Sequence, residues 1–400
     1  MDHSRADRAT SDRERGASAY EALMGAAPEE ALAELRQRAP LIYETVVDTV
    51  FAGPLSRPEL GRLQRELASV AAIATLGGAE RQLAAHVRAA LRLGAAPSEL
   101  LALCEHLAAY AGFPRALNAV AVVDAVASEA GHARPPRLRR VALGDHDTTV
   151  AEAGTSGPPV LLVHALGLDW RMWEPVMAPL ARGRRVFAYD IRGHGGAAGS
   201  PVPFTMEDTA DDLVGVLDAL GLDRPHVVGL SYGGGIAQTA AVRRPERFAS
   251  LALLATTDHP FETFEARARS GEVDGMPEQV VPSLTRWFTP AALALDGWGV
   301  RYARERVLRD TSTDWAAAWR AFKGLDVQGK LADFAPPTLV LAGELDASTT
   351  PEIMAGIHHR IPGSTFQRLP GTPHMQTLEQ PQLVARALRD FLPADADAGT

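Results

Sequence analysis

Apolar residues recur along this chain at two rhythms. Between residues 20 and 130 they fall three and four apart, as in Leu60, Leu63, Leu67, Val70 and Ala74, then Leu83, Val87 and Ala90, then Leu100, Cys104, Leu107 and Ala111. That spacing lines one face of an α-helix and predicts an all-α domain over 19–131. Pro97 suits a first helical turn, and Gly112 and Pro114 punctuate the third stripe. His132-Ala133-Arg134-Pro135-Pro136-Arg137 then reads as a linker over 132–138, because consecutive prolines cannot continue a packed helix.

From 139 to 395 the rhythm changes to short apolar runs: Arg139 to Leu143, Thr148 to Ala153, Val160 to His164, Val186 to Tyr189, Val227 to Leu230, Leu251 to Leu254, Thr338 to Ala342 and Thr365 to Leu369. Each reads as a strand, and helical stretches between them predict a mostly parallel sheet covered on both faces. Between Thr256 and Leu331 the alternation lapses into helical, tryptophan-bearing sequence, which predicts a cap over about 257–332. The ends, 1–18 and 394–400, are polar enough to be expected without fixed structure.

Candidate chemistry sits in the turns after these strands. Ser231 lies in Gly229-Leu230-Ser231-Tyr232-Gly233, between an apolar run and a helix-like stretch. A serine on a strand-to-helix turn is held out over the sheet edge, and flanking glycines relieve the crowding that such a turn creates. Asp346 follows the run Thr338 to Ala342, and His374 follows Thr365 to Leu369. A serine hydroxyl needs an imidazole to take its proton, and a carboxylate to fix the tautomer and steady the imidazolium. Asp258 and Glu344 are rival acids. The loop after Val160 to Val163 contains Leu166, whose main-chain N–H, with that of Tyr232, would hold a developing oxyanion.

In these residues, segment 139–393 resembles an α/β-hydrolase, and in particular 3-oxoadipate enol-lactonase. Asp190-Ile191-Arg192-Gly193-His194-Gly195, Met172-Trp173 and Arg286-Trp287-Phe288-Thr289-Pro290 carry the likeness further. The resemblance implies a serine hydrolase acting on a small carboxylated lactone or ester, with Ser231, Asp346 and His374 catalytic. The family's Ala-Gly-x-x-Asp spacing selects Asp346 over its rivals. Trp173, Arg286 and Trp287 are the expected substrate-binding residues, although a cap tryptophan with an arginine at its edge also suits a small core of its own. One departure is His164-Ala165 where the family reads His-Gly. Another lactone, an ester or a biosynthetic cyclisation is the alternative use of the same fold.

Residues 65–126 resemble the carboxymuconolactone decarboxylase family, through Arg65-Glu66-Leu67, Ala85-His86-Val87-Arg88-Ala89-Ala90-Leu91 and Tyr110-Ala111-Gly112-Phe113-Pro114. The resemblance implies an all-α domain that associates into a homo-oligomer through apolar helix faces, with His86 as candidate proton donor. The family glutamate four residues earlier is replaced by Gln82, and an amide cannot exchange a proton as a carboxylate does.

Composition narrows the partners. The net charge of −9 comes from acids and bases mixed along the chain, unlike a nucleic-acid footprint of clustered Lys and Arg. No apolar stretch approaches a membrane span, and the first 18 residues have no signal-peptide core, so a cytoplasmic location is expected. Cys104 is the single cysteine and falls in a helical stripe, which leaves neither an internal disulfide nor a redox pair. Neither a cofactor nor a metal site is expected.

Overall fold

The computed structural model describes residues 3–131 and 134–393, and the chain divides into two compact units between Pro135 and Pro136. In the first unit the helices Arg62–Leu76, Glu80–Arg92, Pro97–Ala111 and Phe113–Glu129 bury the stripes read above. Leu63, Val70, Leu83, Val87, Leu100, Cys104 and Leu107 meet Val123 and Val126 in one core. Leu60 does not join them: it precedes the first of these helices and is exposed. Leu76, Tyr110, Phe113 and Leu117 also stand exposed on this unit.

The N-terminal expectation needs correcting. His3–Met24 is one helix rather than a segment without structure. Its sequence is polar, but Gly16, Tyr20 and Leu23, spaced four and three apart, form a narrow buried stripe. Tyr20 packs on Phe51 with ring centroids 4.7 Å apart, and Arg13 pairs with Asp48. Gly16 abuts the Val47 carbonyl so closely that any Cβ would strike it. The 394–400 tail lies outside the described residues.

The second unit begins inside the predicted linker, since its first strand already includes Arg137 and Leu138. Eight strands, β1 (Arg137–Ala142), β2 (Asp147–Ala153), β3 (Pro159–Val163), β4 (Arg185–Tyr189), β5 (His226–Leu230), β6 (Ser250–Leu254), β7 (Thr338–Gly343) and β8 (Thr365–Leu369), form one sheet in the order β1-β2-β4-β3-β5-β6-β7-β8. Only β1–β2 and β2–β4 pair antiparallel. From β4 to β8 the sheet is parallel, and β5, β6 and β7 are buried throughout, as unbroken apolar runs on a two-sided sheet require. The chain leaves β3 for β4 on one side and returns to β5 on the other. That reversal opens a crevice at the carboxyl ends of β3 and β5, where Ser231 and the Leu166 loop both emerge.

Between β6 and β7 rise five helices: Thr263–Val273, Met276–Trp287, Pro290–Leu295, Trp298–Arg309 and Ser312–Lys323. A buried polar cluster clamps them to the loops below. Asp169, beyond β3, accepts a hydrogen bond from Tyr302 Oη at 2.9 Å and pairs with Arg171 at 2.7 Å and Arg306 at 3.1 Å. Arg306 also meets Asp310 at 2.8 Å. Burial, reinforced by the charges of Asp169 and Asp314 and opposed by Arg306, pushes the Asp310 carboxyl up to about 7. Among the described residues no helix is long and apolar enough to cross a membrane.

A folded-state value above the ordinary carboxylate range means that the folded protein holds a proton which the unfolded chain has released. The associated stability is present below about pH 4 and is lost as pH rises to about 7. Asp310→Asn escapes that loss. Its Tm relative to the unaltered protein should therefore climb from pH 5 to pH 7.5 in paired thermal melts, and a gap constant with pH would contradict this account.

Candidate active site

Ser231 occupies the turn between β5 and the helix Tyr232–Arg243, with φ 55° and ψ −116°. A left-handed φ at a non-glycine residue costs on the order of 1–3 kcal/mol and persists only where the surroundings enforce it. Here the Ser231 N–H donates to Leu254 O at 2.9 Å, and its carbonyl accepts from Thr256 Oγ1 at 2.6 Å. The flanking glycines are required by proximity: a Cβ on Gly229 would strike the Gly233 carbonyl, and one on Gly233 would strike the carbonyls of Val163 and His164.

Asp346 and His374 reach this serine from the loops beyond β7 and β8. The two loops are latched, since Glu344 N donates to Leu369 O at 3.0 Å and Leu345 N to Thr372 O at 2.9 Å. His374 Nε2 lies 3.1 Å from Ser231 Oγ, and its Nδ1 lies 2.8 Å from Asp346 Oδ2. Asp346 also accepts from Ser348 N at 2.8 Å, Thr349 N at 3.0 Å and Thr349 Oγ1 at 2.7 Å. Burial alone would raise this carboxyl. The adjacent His374 and the hydrogen bonds from His374 and Thr349 outweigh it and hold the carboxyl below its ordinary value. Asp346 thus stays ionised against the imidazole, while Ser231 remains only partly buried. The arrangement can pass the serine proton to His374 and stabilise the resulting imidazolium.

The rival acids are engaged elsewhere. Asp258 pairs with Arg360 at 2.7 Å and His259 at 2.8 Å, and Glu344 accepts from Gly371 N at 2.8 Å. Asp190 and Arg192 tie loops together. Asp190 takes the N–H groups of Trp170 at 2.9 Å and Gly196 at 2.6 Å, and Arg192 pairs with Asp212. Asp145, His146 and Asp212 hold their ligand atoms within 4.8 Å of one another, but Arg192 pairs with both carboxylates.

A narrow cleft opens over Ser231 and His374. Leu166, Arg286 and Trp287 line it. No backbone hydrogen bond among the described residues uses the N–H of Leu166 or of Tyr232. The loop carrying Leu166 is held by His164, whose Nδ1 meets Ala165 O at 2.8 Å while its Nε2 accepts from Ile191 N at 2.9 Å. The first contact requires the Nδ1–H tautomer, and complete burial beside His194 agrees, pushing the imidazole down to about 3.

One expectation fails. Trp173 is fully buried in the core beneath the sheet ends and does not line the cleft, because the short turn Trp170–Trp173 directs it inward. The Tyr232 ring is also buried, 5.1 Å from Phe322, so that only its main chain can face the cleft. Two polar side chains among the cleft residues that escaped the sequence reading matter most. Thr349 braces Asp346, and Arg267 enters from the first cap helix. Arg267 follows Phe264 by three residues and precedes the buried Ala268, and that placement on the inward face is the one signal the sequence carried for it.

In the N-terminal unit His86 Nδ1 lies 2.8 Å from Oε2 of the buried Glu66, one helix away. Gln82, in contrast, is exposed.

Comparison with known proteins agrees with both halves. The family model for the alpha/beta hydrolase fold matches residues 158–289, and that of the carboxymuconolactone decarboxylase family matches residues 40–125. The 3-oxoadipate enol-lactonase 1 of Acinetobacter baylyi is 29% identical over 242 residues, covering 59% of this chain and 89% of its own. A RutD protein of Variovorax paradoxus, named for carbamate hydrolysis, is 30% identical over 251 residues, covering 59% and 92%. The crystal structure of the enol-lactonase from Burkholderia xenovorans superposes with a TM-score of 0.61 at 26% identity, over 63% of this chain and 99% of that one. The chain belongs to the α/β-hydrolase family, and residues 40–125 of its N-terminal unit match the carboxymuconolactone decarboxylase family.

Proposed function

We propose that the second unit is a serine hydrolase that opens a small carboxylated enol-lactone of the 3-oxoadipate enol-lactone type. The supporting observation is the unbroken hydrogen-bond chain Ser231–His374–Asp346 at the floor of a cleft lined by arginine and aromatic rings. Ser231 Oγ attacks the lactone carbonyl as His374 Nε2 accepts its proton, and Asp346 steadies the imidazolium. The N–H groups of Leu166 and Tyr232 receive the charge that gathers on the carbonyl oxygen. Collapse breaks the ring C–O bond, and the departing enol oxygen takes the proton from His374. Water, deprotonated by the same imidazole, then releases the acyl group from Ser231.

Ser231→Ala should lower kcat for 3-oxoadipate enol-lactone by at least about 10³-fold, as removal of a nucleophile from such an assembly does, with an unchanged thermal melt. Wild-type turnover by that variant would end the proposal. If simple aryl esters were cleaved as efficiently as the enol-lactone, the fold would instead serve the broader ester chemistry.

Asp346→Asn should lower kcat by about 10⁴-fold through the wrong imidazole tautomer, while Asp258→Asn leaves it within a few-fold. Comparable losses in the two variants would place the carboxylate elsewhere.

A second activity is favoured by the Glu66–His86 pair, which returns to His86 the carboxylate that Gln82 lacks. His86 then protonates a carbanion left by CO₂ loss. Carbon dioxide release from 4-carboxymuconolactone by the whole protein, abolished in His86→Gln, is the expected result. No release from the unaltered protein would assign this domain a structural role.

A further inference from the structure

The turn that carries Leu166 is held from two sides. Leu168 N donates to Ala165 O at 3.3 Å, which closes a turn centred on Leu166 and Gly167. Gly167 takes a φ of 76°, the positive value that the third residue of one turn class reserves for glycine. On the side of the sheet, His164 Nδ1 donates to the same Ala165 carbonyl at 2.8 Å, and Ala165 N donates to Met172 Sδ at 3.1 Å. A trans peptide sets its N–H opposite its C=O, so pinning Ala165 O to the His164 ring turns the Leu166 N–H away from that ring.

The other side of the turn belongs to the cap. Tyr302 Oη, on the helix Trp298–Arg309, lies 3.0 Å from Asp169 N, 3.1 Å from Asp169 O and 2.9 Å from Asp169 Oδ1. It accepts from the amide and donates to the carboxylate, and so restrains the main chain and the side chain of one residue together. The charge of Asp169 is already matched by Arg171 and Arg306. Restraint of the main chain is therefore the distinct contribution of the Tyr302 hydroxyl. Against Gly167 stand two cap tryptophans, since a Cβ there would lie 2.7 Å from Trp315 Cζ3 and 3.3 Å from Trp287 Cη2. Tyr302 and Trp315 are buried and do not line the cleft, so neither meets the reactant.

We propose that Tyr302 is a positioning residue for the oxyanion: by holding Asp169 from the cap it sets the turn that presents the Leu166 N–H, with Trp315 backing Gly167. The cap then forms half of the anion-binding device as well as its cover. The inference rests on the hydrolase reading, in which that N–H receives the charge gathering on the carbonyl oxygen.

Full-length Tyr302→Phe tests it, with turnover counted per site titrated by a fluorophosphonate so that unfolded protein drops out. Loss of one oxyanion donor costs about 10²–10³ in kcat, and its misalignment should cost about tenfold or more, with KM for 3-oxoadipate enol-lactone within about twofold. The second readout is inhibition by trifluoroacetophenone. Ser231 Oγ bonds to the ketone carbon, the carbonyl π pair becomes an oxyanion, and His374 keeps the serine proton. The affinity of this ketone should fall with kcat in Tyr302→Phe, whereas acetophenone, which forms no such adduct, binds both proteins alike. Trp315→Phe, which draws an aromatic edge back from Gly167, should show the same paired loss, and it serves alone if Tyr302→Phe fails to fold. Unchanged kcat and ketone affinity, or a fall in kcat with ketone affinity kept, overturns the proposal. An unaltered protein that neither hydrolyses the lactone nor forms the ketone adduct would instead bring down the hydrolase reading, and this inference with it.

Discussion

The left-handed backbone of Ser231 is the constraint from which the hydrolase unit is organised. A φ of 55° at a serine persists only when both neighbours are held from outside. The Leu254 carbonyl and Thr256 hydroxyl supply that hold from β6, while bare glycines at 229 and 233 let the turn sit directly against the end of β3. The same crowding brings the carbonyls of Val163 and His164 beneath Gly233, so the Leu166 loop starts from a position fixed by the serine turn. The Ser231 turn and the Leu166 loop are therefore products of one packing problem, solved at the point where the sheet reverses its winding.

Polar side chains then do locally what the sheet cannot. His164, spending one nitrogen on Ala165 and the other on Ile191, bridges the loops after β3 and β4. Asp190 joins the Trp170 and Gly196 amides, and Asp169 extends the network to Tyr302 and Arg306 on the cap. Each is buried, and each is close to fully partnered, which is the condition for a polar group to fix geometry rather than weaken the core. The Asp346–Thr349–His374 cluster follows the same rule on the far side of the serine.

How much of this was legible follows from what is local. Buried parallel strands are short apolar runs, so all eight strands appear in the sequence, with edges displaced by a residue or two; β1 begins at Arg137 and not at Arg139. Ser231, Asp346 and His374 were legible because each follows such a run, and the glycines around Ser231 record a crowded turn. Side-chain direction is another matter. Trp173 stands beside a loop of the site, yet a four-residue turn sends it into the core. Arg267 reads as one of two arginines on a polar helix, and only the packing of that helix on Ser312–Lys323 reveals where it points. The N-terminal helix was hidden because its buried stripe is three residues wide in a run of charges. Glu66, twenty residues from His86 and on another helix, becomes its partner only through the antiparallel packing of Arg62–Leu76 and Glu80–Arg92.

The main-chain N–H of Met375 donates to the carbonyl of Trp287 at 3.0 Å. One end of that bond adjoins the imidazole of His374, and the other belongs to the roof. Lifting the roof as a rigid piece would sever it and remove one of the ties on the chain beside His374. Admission of a reactant by flexing of rim side chains keeps it intact. A cover tied in this way cannot be raised as one piece without also loosening one restraint on the loop that carries His374.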